Sequence, residues 1–157
     1  MAPFDRGDTM LNNIITACPA DVELGPSPFP REWVIDGRPE ATAKEIARSN
    51  DGTMRVIVWS CTTGRFRWQY LVDEMLHVLS GEVFISDNDK AERRLGPGDT
   101  AFFPAGSWSE WRVTQDVRKV AVCHVGAPKA VGFALRVLNR ILTFPRRKGL
   151  SESSALS

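Results

Sequence analysis

Between Trp33 and Val125 the chain is written as short apolar runs separated by turn residues at regular spacing, a texture that fits an all-β sandwich or barrel. The runs are Met54–Cys61, Phe66–Tyr70, Met75–Leu79, Glu82–Ile85, Thr100–Phe103, Trp108–Val113 and Val117–Val125. Thr63-Gly64, Ser80-Gly81, Asp87-Asn88-Asp89, Gly96-Pro97-Gly98-Asp99 and Pro104-Ala105-Gly106 lie between them, and such residues either accept φ > 0 or preset φ. Gly81 and Gly106 are expected where strands reverse. Asp87-Asn88-Asp89 begins like a calcium loop but lacks the glycine at the sixth and the glutamate at the twelfth position, so it reads as a hairpin turn. Ala41–Arg48 is rich in good helix formers and admits a short helix.

The flanks differ from this central stretch. Residues 1–30 hold Pro19, Pro26, Pro28 and Pro30, which fix φ and withhold donors, so an arm lying on the domain is expected there. The barrel then spans residues 31–126. Residues 127–145 change period: Val131, Ala134, Leu135, Leu138, Ile141 and Leu142 share one helical stripe, with Arg136, Asn139, Arg140 and Thr143 opposite. Pro145 ends this helix, which is expected to pack on the barrel or a neighbouring subunit rather than on a membrane surface. Residues 146–157 have the composition of a disordered tail.

A chain of 157 residues is one typical domain. Its net charge of +1 provides no field for nucleic acid. No stretch reaches the ~20 apolar residues of a membrane span, and the N-terminus lacks the basic start and apolar core of a secretory signal. Cys18, Cys61 and Cys123 are odd in number and show no CxxC spacing, which points to reduced thiols in a cytoplasm.

Two segments carry more than a strand pattern: Gly64–Glu82 and Gly96–Trp111. They resemble the two motifs of the cupin superfamily. The first motif places two histidines one residue apart, then a glutamate, then a glycine seven residues on; Glu74 and Gly81 keep that last interval. The second is Gly, five residues, Pro-x-Gly, two residues, His; Gly98, Pro104 and Gly106 match it in order and spacing. The longer string from Trp33 to His124 resembles the small cupins of the ureidoglycine aminohydrolase-like branch. Ser49-Asn50-Asp51-Gly52, Trp59, Asp73-Glu74, Gly81-Glu82, Phe103-Pro104-Ala105-Gly106 and Val117-Arg118-Lys119 are among the residues that carry it. The resemblance implies a double-stranded β-helix, or jelly-roll, barrel.

The chain departs from the metal-binding pattern of that family. Trp68 and Tyr70 stand at the first two histidine positions and Ser109 at the third, so only Glu74 keeps its residue type. Indole has no lone pair for a metal, and one carboxylate with two hydroxyls makes at most a weak site. No tightly bound metal and no other cofactor is therefore expected, which leaves weak metal binding at Glu74 open. Strand parity then turns Phe66, Trp68, Tyr70, Ser109 and Trp111 inward with Glu74. Two interiors are compatible with this lining. One is a core filled by side chains. The other is a pocket for a small, mostly apolar or cationic organic ligand, with Glu74 and Tyr70 as an acid–base pair. Tyr70, Ser109 or an arginine such as Arg67 could satisfy the Glu74 carboxylate.

His77 takes the parity opposite to Glu74, so packing or an interface suits it better than ligation. His124 shares the parity of Val120 and Val122 and could face inward. Cys61 and Cys123 read as small buried hydrophobes, with a reactive thiol as the alternative if either lines a pocket. Apolar residues on both strand parities, as in Val56–Trp59 and Val120–Val125, suggest burial on both faces and a homodimer with strand or arm exchange. Three functions follow: a metal-free small-molecule binder catalysing proton transfer, isomerisation or elimination; a metal-dependent ureidoglycine aminohydrolase-like enzyme; or a non-catalytic scaffold.

Overall fold

The strand-and-turn alternation produces one wrapped sheet. The computed structural model describes residues 14–87 and 91–126. Their strands are β1 (Gly25–Pro26), β2 (Val34–Gly37), β3 (Ala41–Arg48), β4 (Met54–Cys61), β5 (Gly64–Gln69), β6 (Asp73–Ser86), β7 (Arg93–Leu95), β8 (Thr100–Phe103) and β9 (Trp108–His124). β9 is the spine. Its first part pairs antiparallel with β5, from Gln69↔Trp108 to Gly64↔Val113, and its second part with β4, from Cys61↔Val117 to Met54↔His124. β6 runs along the other edge of β9 for its whole length and carries β7 and β8. β3 and then β1 extend the sheet beyond β4, and β2 extends it beyond β5. This is the expected jelly-roll arrangement, and no helix among the described residues is long and apolar enough to cross a membrane.

Parity on the two long strands defines the interior. Ser109, Trp111, Val113, Val117, Lys119, Ala121 and Cys123 of β9 are buried, as are Glu74, Leu76, Val78, Val83 and Ile85 of β6. The intervening residues turn outward, and the exposed Met75 and Phe102 lie opposite each other in register on that outer face. The core gathers at the inward rings of Phe66, Tyr70, Phe103 and Trp111.

Three expectations need correction. Ser80-Gly81 does not reverse the chain: it is an irregularity within the continuous β6, and the pairing register shifts on both sides of it. Gly81 has φ +81°, and a Cβ there would stand 2.1 Å from the Asp116 carbonyl oxygen, so only glycine lets β6 cross β9 so closely. The runs Trp108–Val113 and Val117–Val125 are likewise one strand, continuous across Thr114–Asp116. Ala41–Arg48 is a strand rather than a helix, because β4 pairs along its length and β1 joins it at Thr42 and Ala43. Those ladder bonds outweigh the modest helix propensity of eight residues.

The described part of the N-terminal arm is fastened to the barrel. The Arg118 guanidinium donates to the carbonyls of Pro19 (3.0 Å) and Val22 (2.5 Å). Phe29 packs its ring 4.8 Å from Phe66 and 5.8 Å from Trp68, centroid to centroid. The helix expected over residues 127–145, the tail at 146–157 and most of the Asp87-Asn88-Asp89 turn lie outside the described residues.

Candidate functional site

The interior divides into a closed half and an open half. In the closed half Tyr70 stacks on Phe103 at 4.3 Å and Phe66 lies nearly parallel to Trp111 at 5.9 Å. The polar atoms among these rings satisfy one another. Trp111 Nε1 donates to Ser109 Oγ (2.9 Å) and Tyr70 Oη (3.0 Å), and the two hydroxyls lie 3.0 Å apart. Burial pushes the Tyr70 phenol well above the ordinary tyrosine range; the nearby Glu74 adds to this, and the bonds from Ser109 and Trp111 only partly offset it. Phe66 and Trp111, expected to line a ligand pocket, are therefore packed core, and Ser109 borders a different cavity, beside Phe103 and Trp108.

The open half holds a cavity of about 250 Å³ whose wall includes Trp59, Trp68, Tyr70, Glu74, Lys119 and Cys123. Lys119 Nζ donates to Glu74 Oε1 at 2.5 Å, and the two residues are only 5% and 8% exposed. The ammonium also lies 4.9 Å from the ring centroids of both Trp59 and Trp111. Indole faces attract a desolvated cation, so Lys119 is held by two rings and one carboxylate. Cys123 Sγ sits 3.9 Å from the second Glu74 oxygen. The buried Trp59 Nε1 has no hydrogen-bond partner among the described residues.

Local folding explains this placement. The turn after β8 docks on the segment leading into β6: Gly106 N–H donates to the Tyr70 carbonyl, Tyr70 N–H to the Ser107 carbonyl, and Ala105 N–H to Asp73 Oδ1. That clamp sets Glu74 at the start of β6, in register with Cys123. Lys119 is in register with Trp59 on one side and Val78 on the other, and its long stem carries the ammonium along the barrel to Glu74.

Both inward thiols are held in the neutral form. Burial is the main cause at Cys61, which is pushed up to about 12, with Asp116 adding to the effect and Lys119 opposing it. At Cys123, burial and then the Glu74 charge raise the thiol, against Lys119 and Arg55. The reactive-thiol alternative is thus disfavoured at both positions.

The structure brings Trp68, Tyr70 and Glu74 to one cavity but does not join Tyr70 to Glu74. The Tyr70 hydroxyl is engaged by Ser109 and Trp111, and the partner of Glu74 is Lys119 rather than Tyr70, Ser109 or the exposed Arg67. A cationic ligand, admitted by the lining expected from the sequence, would meet an ammonium already in place. His124 is exposed and does not reach the interior, while His77 takes the outer parity beside Thr100 and Val120. Lys119 was absent from the expected site, and Cys123 entered it only as the alternative of a thiol lining the pocket. Extending the parity of Ser109, Trp111 and Val113 across Thr114–Asp116 would have put both inside.

The side chains at the metal-ligand positions do not fit a metal. Tyr70 and Ser109 are bonded to each other and to Trp111, and the Glu74 carboxylate already faces a cation. No three His, Cys, Asp or Glu side chains cluster as a metal site among the described residues. A second cavity of about 370 Å³, bordered by Phe102, Phe103, Trp108 and Arg93, contains no buried titratable side chain in its wall.

Comparison with known proteins agrees with this architecture. Residues 48–121 match the family model described as the EutQ-like cupin domain. A protein of unknown function from Pseudomonas syringae pv. tomato DC3000, of the DUF861 family, superposes with a TM-score of 0.60 at 24% identity, over 65% of this chain and 44% of its own. A cupin-like protein from Thermotoga maritima superposes with a TM-score of 0.54 at 17% identity, over 66% of this chain and 80% of its own. The EutQ protein of Clostridium difficile gives a TM-score of 0.48 at 18% identity, over 55% of this chain and 63% of its own. At these identities the first two solved structures speak to fold alone. No curated protein matches the chain.

Proposed function

We propose, from the premise that this chain is a cupin-superfamily protein, that its barrel binds a small uncharged organic molecule in the cavity beside Trp59 and Trp68, and that the Glu74–Lys119 pair moves a proton on it without a bound metal. One observation carries this reading: a buried ion pair, 2.5 Å between heavy atoms, lies on the wall of an aromatic cavity. Buried ion pairs seldom add stability over well-packed apolar residues of the same volume, so one that borders empty space is better explained by a task. The cavity, at about 250 Å³, falls below the ~300 Å³ at which drug-sized pockets begin, so the occupant is small. Because Lys119 and Glu74 balance each other and Arg55, also on the wall, lies 4.0 Å from Glu45, an uncharged ligand leaves no surplus charge. The short donor–acceptor distance suits general acid–base work, Glu74 taking a proton that Lys119 or the ligand releases.

The test uses ligand-observed NMR with benzamide, benzoate and benzylamine, followed by deuterium exchange into the methyl group of acetophenone. Benzamide should bind best, Trp68→Ala should abolish its binding, and Glu74→Gln should abolish exchange but not binding. Exchange that survives in Glu74→Gln, or stops on treatment with a chelator, would overturn the proposal.

A further inference from the structure

The same pair has a second chemical capacity. Among the described lysines Lys44 is exposed on β3, whereas Lys119 is 5% exposed and contributes to the cavity wall. Its ammonium has one hydrogen-bond acceptor, Glu74 Oε1, and otherwise faces the rings of Trp59 and Trp111. A primary amine in an aromatic box beside a carboxylate has the arrangement needed for covalent catalysis on carbonyl compounds.

We infer that Lys119 is a nucleophile that forms an imine with a small aldehyde or ketone in the cavity, with Glu74 as its proton acceptor and donor. The inference rests on the binding reading above, because the carbonyl compound must first enter the cavity beside Trp59 and Trp68. The step balances as follows. Glu74 takes one ammonium proton. The Lys119 nitrogen forms a bond to the carbonyl carbon while the C=O π pair moves to oxygen, which then takes a second proton from nitrogen. Glu74 returns its proton to the resulting hydroxyl, the C–O bond breaks, water leaves, and an iminium with one N–H remains.

Charge favours this class of ligand. The ammonium and the iminium each carry one positive charge, so the Glu74 carboxylate and the two indole faces hold the product as they held the free side chain. The iminium also acidifies the adjacent C–H, which ties this step to the proton transfer proposed for the pair. The buried, unpartnered Trp59 N–H is a further donor in the same wall.

The experiment treats the full chain with benzaldehyde and sodium cyanoborohydride near neutral pH and maps benzylated lysines by mass spectrometry over time. Lys119 should be labelled about 10²-fold faster than Lys44, the gain expected of a positioned acid–base group. Glu74→Gln should bring Lys119 down to the rate of Lys44. Lys119→Arg should keep the fold and the cation but remove the adduct. Because Lys44 is an internal standard in the unaltered protein, the result does not depend on a variant folding. If benzamide binds but Lys119 is labelled no faster than Lys44, the imine inference is overturned and the binding reading stands. If benzamide does not bind and Lys119 is not labelled, both fall.

Discussion

At one end of the barrel interior Tyr70, Ser109 and Trp111 commit their polar side-chain atoms to one another between the rings of Phe66 and Phe103; at the other, Glu74 and Lys119 form an ion pair on the wall of a cavity. One long strand, β9, supplies both ends. β9 contributes Ser109 and Trp111 to the first and Lys119 and Cys123 to the second, all by one parity. The closed half has what a core requires: stacked rings, satisfied donors and no net charge. The open half keeps a charged pair out of water and leaves room beside it, an arrangement that packing alone does not call for. Trp111 touches both halves, through its N–H to Ser109 and Tyr70 and through its face to Lys119.

The largest effect should come from breaking the closed half. Phe66 is 0% exposed and contacts the rings of Phe29, Trp68 and Trp111, so Phe66→Ala should lose ~4–5 kcal/mol in chemical denaturation, the upper part of the range for buried aromatic deletions. A loss under ~1 kcal/mol would mean that this half collapses easily and is not a close-packed core.

The open half should respond differently. Lys119→Met removes the counter-charge of a buried carboxylate and should cost ~3 kcal/mol, whereas the double variant with Glu74→Gln should recover most of that loss. Strong coupling of this kind marks an ion pair whose partners are needed only by each other. Additive losses would instead make Lys119 part of the packing, and the contrast between the halves would disappear.

The sequence carried much of this organisation, unevenly. Met54–Cys61 and Thr100–Phe103 were legible to the residue, because β-branched and aromatic runs between turn residues have few alternatives. The inward turn of Phe66, Tyr70, Ser109 and Trp111 followed from the motif positions and parity. Ser80-Gly81 was misread because the same dipeptide serves a turn and a bulge, and only the approach of Asp116, distant in sequence, decides between them. The split at Thr114–Asp116 then concealed the parity that puts Lys119 inside. Whether the barrel is hollow was not legible at all, since it depends on contacts such as Phe29 on Trp68 that join residues far apart in the chain. The partner of Glu74 was missed for a related reason: a lysine between Arg118 and Val120 reads as a solvated charge until the register is known.

A smaller effect separates the halves by function. Ser109→Ala leaves the Trp111 N–H with Tyr70 as its remaining partner and should cost ~1–2 kcal/mol, as expected for one buried hydroxyl, without changing benzamide binding. If binding falls with stability, the polar triad belongs to the ligand site after all. Glu74→Gln provides the opposite pattern, with acetophenone exchange lost and binding kept.

The smallest effect at neutral pH uses the two buried thiols as probes. Cys61 belongs to the core cluster, whereas Cys123 lines the cavity beside Glu74. A small neutral thiosulfonate should therefore modify exposed Cys18 first, Cys123 next and Cys61 last, with benzamide protecting Cys123 alone. Stability should register the core thiol only in alkali. The folded Cys61 is held up to about 12 from its ordinary 9.0, so the folded state keeps the proton more tightly than the unfolded chain. The stabilisation from that difference is fully present below pH 9.0 and is lost as the pH rises from there towards about 12. Cys61→Ala should flatten this alkaline decline in a pH series of denaturation midpoints, in addition to any constant packing loss. An unchanged alkaline slope in that variant would show that folding leaves the Cys61 thiol as solvated as it is in the unfolded chain, and would remove it from the core.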